Sequence, residues 1–163
     1  MNGEMRAYYD QRAPECDDSW LGCGTGFLTR HIRGEVVGVD QSAQMLEIAE
    51  ASRPGLQVIQ CDAASLPFAD HEFERVFTSH VYGHLSVDQR EQFLAEVRRV
   101  GRSLVVVDSA ARSDTADGWQ ERRLNDGTTH CVYKRFFSGP QLAEELGSGI
   151  VVHDGHWFVV VRS

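Results

Sequence analysis

Gly22-Cys23-Gly24-Thr25-Gly26, read with the run Val36-Val37-Gly38-Val39-Asp40 that follows it, decides the fold. Glycines at alternate positions let the backbone turn sharply and bring bare N–H groups against a ligand, with no Cβ in the way. A dinucleotide loop is spaced G-x-G-x-x-G, but position 27 is Phe, so the spacing here is G-x-G-x-G. Val36 to Val39 is a buried-type strand, and Asp40 ends it, where a carboxylate can accept both hydroxyls of a ribose. Leu56-Gln57-Val58-Ile59-Gln60-Cys61 alternates as the next strand, and Asp62 stands at its end, placed to accept from an adenine amino group. Taken singly, a glycine-rich loop is often only a turn and an Asp after a strand only a helix cap. Three such features at consecutive strand ends describe the ligand crevice of an open α/β sheet.

Outward from this centre, short apolar strands alternate with amphipathic helices, the α/β signature. Ser42 is placed to cap a helix whose buried side is Met45, Leu46, Ile48 and Ala49, and Pro54-Gly55 turns the chain into the next strand. Phe73 to Thr78 reads as a strand. Ser86-x-x-Gln89 is a capping box, and Phe93, Leu94, Val97 and Val100 make the stripe of the helix it opens. Leu104-Val105-Val106-Val107 suits a parallel strand covered on both faces. Further on, a short helix is expected over Trp119 to Arg123 and a strand near His130 to Tyr133. Ser138-Gly139-Pro140-Gln141 opens a helix that Gly147 closes. Ile150 to His153 and Trp157 to Arg162 read as strands about the turn Asp154-Gly155. The fold expected is α/β, a Rossmann-like three-layer sandwich whose mostly parallel sheet ends in an antiparallel hairpin.

The 163 residues suit a single domain spanning 1-163, and 42% apolar with 25% charged residues is a globular mixture, not a disordered one. Sixteen basic against 24 acidic side chains give a net charge of −8 with no basic cluster, which argues against nucleic acid as a partner. The longest apolar run, Trp157 to Val161, is far short of a membrane span, and Met1 to Arg6 lacks a signal peptide's apolar stretch. A cytoplasmic protein is expected, and the single lysine, Lys134, fits a GC-rich bacterial genome. Cys16, Cys23, Cys61 and Cys131 contain no C-x-x-C pair, which argues against a disulfide framework and a zinc site.

Together, Leu21-Gly22-Cys23-Gly24-Thr25-Gly26-Phe27-Leu28, Val37-Gly38-Val39-Asp40-Gln41-Ser42-x-x-Met45-Leu46, Cys61-Asp62-Ala63-x-x-Leu66-Pro67-Phe68 and Phe73-Glu74-Arg75-Val76-Phe77 resemble the class I S-adenosylmethionine-dependent methyltransferases. The similar subgroup is the small-molecule type of ubiquinone and menaquinone biosynthesis, and the likeness runs from Gly22 to Ala110. The resemblance implies a seven-stranded sheet with a terminal antiparallel hairpin. It implies that Gly22, Cys23 and Gly24 hold the methionine moiety and Asp40 the ribose. Asp62 and Ala63 would contact adenine, flanked by Gln41 and Met45, with Ser79 and His80 lining the cofactor and substrate side. Tyr8-Tyr9-Asp10 resembles the N-terminal helix that caps the cofactor, which makes Tyr9 a cofactor-binding candidate. On this reading residues 1-21 are the cap, 22-110 the cofactor-binding half and 111-163 the substrate-side half.

One stretch departs from the family. Trp20 stands where a carboxylate usually precedes the loop, and Glu15-Cys16-Asp17-Asp18 cannot form a strand buried on both faces without severe desolvation. The first strand is therefore expected to be missing or replaced. The expectation at Cys16 to Leu21 is a break or long separation between about Asp18 and Gly22, or another segment in the slot, a second copy of the chain being one source of it.

His80, Tyr82 and His84 follow the strand ending at Thr78, and His80 is the candidate general base. His80 and His84 lack a third metal ligand, so no metal is expected. His153 and His156 flank the last turn and should be solvated; Trp119, Trp157, Phe136 and Phe137 are expected in core or lid packing. The function expected is methyl transfer from S-adenosylmethionine, leaving S-adenosylhomocysteine, to a small-molecule acceptor by a monomer or homodimer. The alternative is a cofactor-binding domain without turnover.

Overall fold

The computed structural model describes residues 3–12 and 23–163. Gly22 and the junction expected to be interrupted at Cys16 to Leu21 lie outside the described residues. The chain forms two compact units, 1–63 with 121–132 and 64–120 with 133–163.

In the first unit, helix α1 (Gly3–Arg12) is followed by the glycine loop, strand β1 (Val37–Asp40), helix α2 (Ala43–Ser52) and strand β2 (Gln57–Gln60). β1 and β2 pair in parallel from Val37↔Gln57 to Asp40↔Gln60. α2 begins where the sequence indicates: Ser42 is extended and its Oγ accepts from the Met45 N–H at 3.2 Å. Ala49 and Leu46 are buried on its inner side, and Met45 joins Tyr8 and Tyr9 of α1, Leu124 and Val132 in one apolar cluster.

Strands β5 (Gly118–Arg123) and β6 (Thr129–Lys134) make a two-stranded sheet. The helix expected over Trp119 to Arg123 is therefore corrected to a strand. Its cause lies in the turn: Gly127 sits at φ 90°, Leu124 N–H donates to the Thr128 carbonyl at 2.8 Å, and Thr128 N–H donates to Asp126 Oδ1. An Asp-Gly pair forms such a hairpin readily and commits both flanks to strands.

The second unit contains β3 (Val76–Ser79), α3 (Val87–Val100), β4 (Leu104–Ser109), α4 (Gly139–Glu145), β7 (Ile150–Asp154) and β8 (Phe158–Arg162). Its sheet runs β3-β4-β8-β7, with β3 parallel to β4 and β8 antiparallel to both β4 and β7. The expected terminal hairpin is present. The expected capping box of Ser86 with Gln89 forms, the helix opened at Ser138 carries a second one with Gln141, and the α3 stripe is buried as its period requires. Phe73 makes only an isolated bridge to Gly101, because the strand proper starts at Val76. Phe137 is fully buried, whereas Trp119 and Trp157 are 60% and 69% exposed and belong to no core. His153 and His156 are exposed. Among the described residues β1 pairs only with β2 and β3 only with β4, and no helix is long and apolar enough to cross a membrane.

Candidate active site

The glycine loop hangs from the end of β1. Cys23 N–H donates to the Val39 carbonyl at 3.2 Å, and Gly26 N–H closes back on the Cys23 carbonyl at 2.9 Å. Gly24 and Gly26 have φ of 49° and 79°, the left-handed region that only glycine enters at little cost. Gly26 also sits against α2: a Cβ there would lie 3.2 Å from both Cα and Cβ of Ala49. Ser52 Oγ donates to the Thr25 carbonyl at 2.9 Å, so α2 grips the loop from its other end.

Asp40 joins these parts. Its Oδ2 accepts from the Gly24 N–H at 3.2 Å and its Oδ1 from the Ser42 N–H at 3.0 Å. The Gln41 N–H acts on the same carboxylate, whose roughly four lone-pair sites leave room for a further donor. Burial pushes the Asp40 carboxyl up to about 6 against the pull of these backbone donors, and Asp10 of α1 adds to the rise. Burial, followed by the Asp40 charge, pushes the Cys23 thiol up to about 12. Cys23 is thus a neutral thiol at neutral pH, and its place in the loop is as backbone.

Of the expected cofactor residues, Cys23, Gly24 and Asp40 are brought together. The Gln41 carbonyl accepts from Gln60 Nε2 at 2.9 Å, and Cys61 N–H donates to the Asp40 carbonyl at 3.1 Å, leading into exposed Asp62 and half-buried Ala63. Met45 and Tyr9 lie in the buried cluster between α1 and α2.

In the second unit, Ser79 at the end of β3 is 1% exposed and its Oγ has no hydrogen-bond partner. His80 follows at φ 56°, its N–H donating to the Val107 carbonyl at 2.8 Å. Its Nδ1 lies 3.1 Å from Ser109 Oγ and 3.9 Å from Asp108 Oδ1. Asp108 is fully buried and fully occupied. Lys134 Nζ at 2.6 Å and Ser109 N–H at 2.7 Å donate to Oδ1, and Gly83 N–H at 2.8 Å donates to Oδ2. Burial raises the Asp108 carboxyl, but the Lys134 charge and hydrogen bond outweigh it and hold the group below the usual carboxylate range. Burial lowers His80, with Asp108 opposing and Lys134 assisting. His84 is spent elsewhere: its Nδ1 donates to the Tyr133 carbonyl at 2.6 Å. Among the described residues no three His, Cys, Asp or Glu side chains gather as metal ligands do.

Asp108, Ser109 and Lys134 were not among the residues that sequence reasoning identified. Two signals pointed to them: a carboxylate closing an otherwise apolar strand, and the only lysine in the chain.

A parallel α/β array closed by an antiparallel hairpin, with a glycine loop hung from a strand that ends in Asp, defines the class I S-adenosylmethionine-dependent methyltransferase fold. The chain belongs to the methyltransferase-domain family, whose sequence pattern matches residues 20–105. It is 39% identical over 77 residues to a demethylmenaquinone methyltransferase of Renibacterium salmoninarum, covering 45% of this chain and 32% of that protein. It is 30% identical over 102 residues to a probable tRNA methyltransferase 9B of Bos taurus, covering 62% of this chain and 22% of that one. The chain thus spans about a third or less of the length of these curated relatives. Among solved structures, the DhpI–SAM–HEP complex superposes with a TM-score of 0.83 at 23% identity, over 98% of this chain and 95% of that one.

Proposed function

We propose that the chain binds S-adenosylmethionine through the loop, β1 and α2 of its first unit and transfers the methyl group to a small-molecule acceptor. The observation that carries this reading is Asp40. Both its oxygens are held by backbone N–H groups of the loop and of the α2 N-terminus, and the carboxylate keeps acceptor capacity for a ribose hydroxyl. The left-handed Gly24 and Gly26 leave bare backbone beside it. Gly22, outside the described residues, is a further candidate for the methionine moiety, and Asp62 and Ala63 are the candidates for the adenine, flanked by Gln41. Met45 and Tyr9 remain candidates for the cofactor, held in the buried cluster with Tyr8, Leu124 and Val132. The unpartnered Ser79 Oγ is a buried polar atom that a polar ligand group would satisfy.

When bound, the cofactor supplies a methyl carbon already made electrophilic by its sulfonium. The protein's work is then binding and alignment, which can supply several kcal/mol. His80 accepts a proton where the acceptor has one to lose: Nδ1 is engaged by Ser109 Oγ, leaving Nε2 free. The likeness to a demethylmenaquinone methyltransferase supports a quinol or phenol acceptor. The net charge of −8 argues against RNA, which the tRNA-directed relative would otherwise suggest.

Incubation with methyl-labelled cofactor and a panel of quinols, phenols, amines and tRNA tests the reading. Label in a small molecule is the expected result. Label in tRNA alone would overturn the acceptor class, and cofactor binding without label in any member would overturn turnover.

A further inference from the structure

Behind His80 lie two charged groups that the proposed chemistry does not touch, Asp108 at 0% and Lys134 at 4% exposure. Burying such a pair is weak as a source of stability, because desolvation offsets the attraction and an apolar pair would fill the same space. Its hydrogen bonds instead converge on the histidine. Asp108 Oδ1 orders the Ser109 amide, and Ser109 presents its Oγ to His80 Nδ1. Asp108 Oδ2 holds the N–H of Gly83, in the turn Tyr82–His84 that follows His80. That turn has no slack: a Cβ on Gly83 would lie 2.6 Å from the Arg135 carbonyl oxygen, 2.9 Å from Asp108 Oδ1 and 3.0 Å from Lys134 Nζ. An uncompensated Asp108, 3.9 Å from Nδ1, would draw a proton onto the ring, but Lys134 sits on the same Oδ1.

We propose that the buried Lys134–Asp108 pair is the positioning device of His80: Asp108 fixes the imidazole through Ser109 and the Gly83 turn, and Lys134 cancels the carboxylate's charge so that the ring stays neutral and free to accept a proton. The inference rests on the reading of His80 as the proton acceptor. Burial is the largest influence holding the ring neutral; of the charged groups acting on it, Asp108 from β4 opposes burial and Lys134 from β6 assists it.

The test is an NMR titration of the His80 ring in the full chain, with Lys134→Met and Asp108→Asn. The wild-type ring should titrate below the ordinary histidine value. Lys134→Met should raise the midpoint by about one pH unit or more, and Asp108→Asn should lower it. A pair with only a structural role would lower stability and leave both midpoints in place, and that result overturns the proposal, as do shifts of the same sign. Should Lys134→Met fail to fold, Asp108→Asn alone decides: a lowered midpoint supports the proposal and an unmoved one overturns it. Full turnover by His80→Ala would remove the proton-accepting role without altering what the titration says of the pair.

Discussion

Asp40 and His80 carry predictions of opposite kinds. Burial raises Asp40 to about 6, and on the proposed reading ribose hydroxyls would donate to its ionised form. Affinity for S-adenosylhomocysteine should therefore climb as pH rises through about 6 and level off once the carboxyl is fully ionised. Asp40→Asn should flatten the profile; calorimetry across pH checks this. The stability contribution has the reverse sense: a raised carboxyl stabilises the fold fully below its ordinary value near 4 and loses that contribution as pH passes 6. Asp108, held low, stabilises above its ordinary value and loses that contribution only in more acid solution. His80→Ala should lower turnover roughly 10²-fold while leaving cofactor affinity nearly intact, measured as kcat beside a binding titration. Asp40 was legible in the sequence because a strand end fixes where a carboxylate goes. The Lys134–Asp108 pair was not, because its partners are 26 residues apart and meet only once β6 is in place.

At the scale of elements, the glycine loop and α2 act as one piece. Gly26→Ala must force a side chain into φ 79° and against Ala49, costing more than about 1 kcal/mol and loosening the loop. A lowered melting temperature together with weaker S-adenosylhomocysteine binding is expected. Ser86→Ala removes only a cap, so about 1 kcal/mol of stability should go with no change in cofactor affinity. Elements with strong local signals are readable in the sequence: the capping box at Ser86, the helix start at Ser138, the α2 cap at Ser42 and the turn before β8. β5 was not, because Trp119-Gln120-Glu121-Arg122-Arg123 has no apolar alternation and its identity comes from Asn125-Asp126-Gly127 beyond its end. Trp119 and Trp157 were assigned to packing by their size, but each lies on a strand end or turn that leaves it in solvent.

For the whole molecule, the order of strands and helices was legible because the periods alternate along the chain, while the division into 1–63 with 121–132 and 64–120 with 133–163 was not. That division depends on where the β5–β6 hairpin returns, a long-range matter that composition does not encode. The acidic balance belongs to this scale as well: at physiological salt the chain should not retain labelled tRNA on a filter. The central claim is that a methyltransferase cofactor binds through Asp40, and calorimetric titration of S-adenosylhomocysteine into wild type and Asp40→Ala measures it most directly. The expected result is saturable binding by the wild type, weakened by about 1.5–3 kcal/mol, roughly 10- to 150-fold, in the variant, the range for a charge-assisted hydrogen bond. Unchanged affinity in a folded Asp40→Ala protein, or no binding by the wild type, would contradict it.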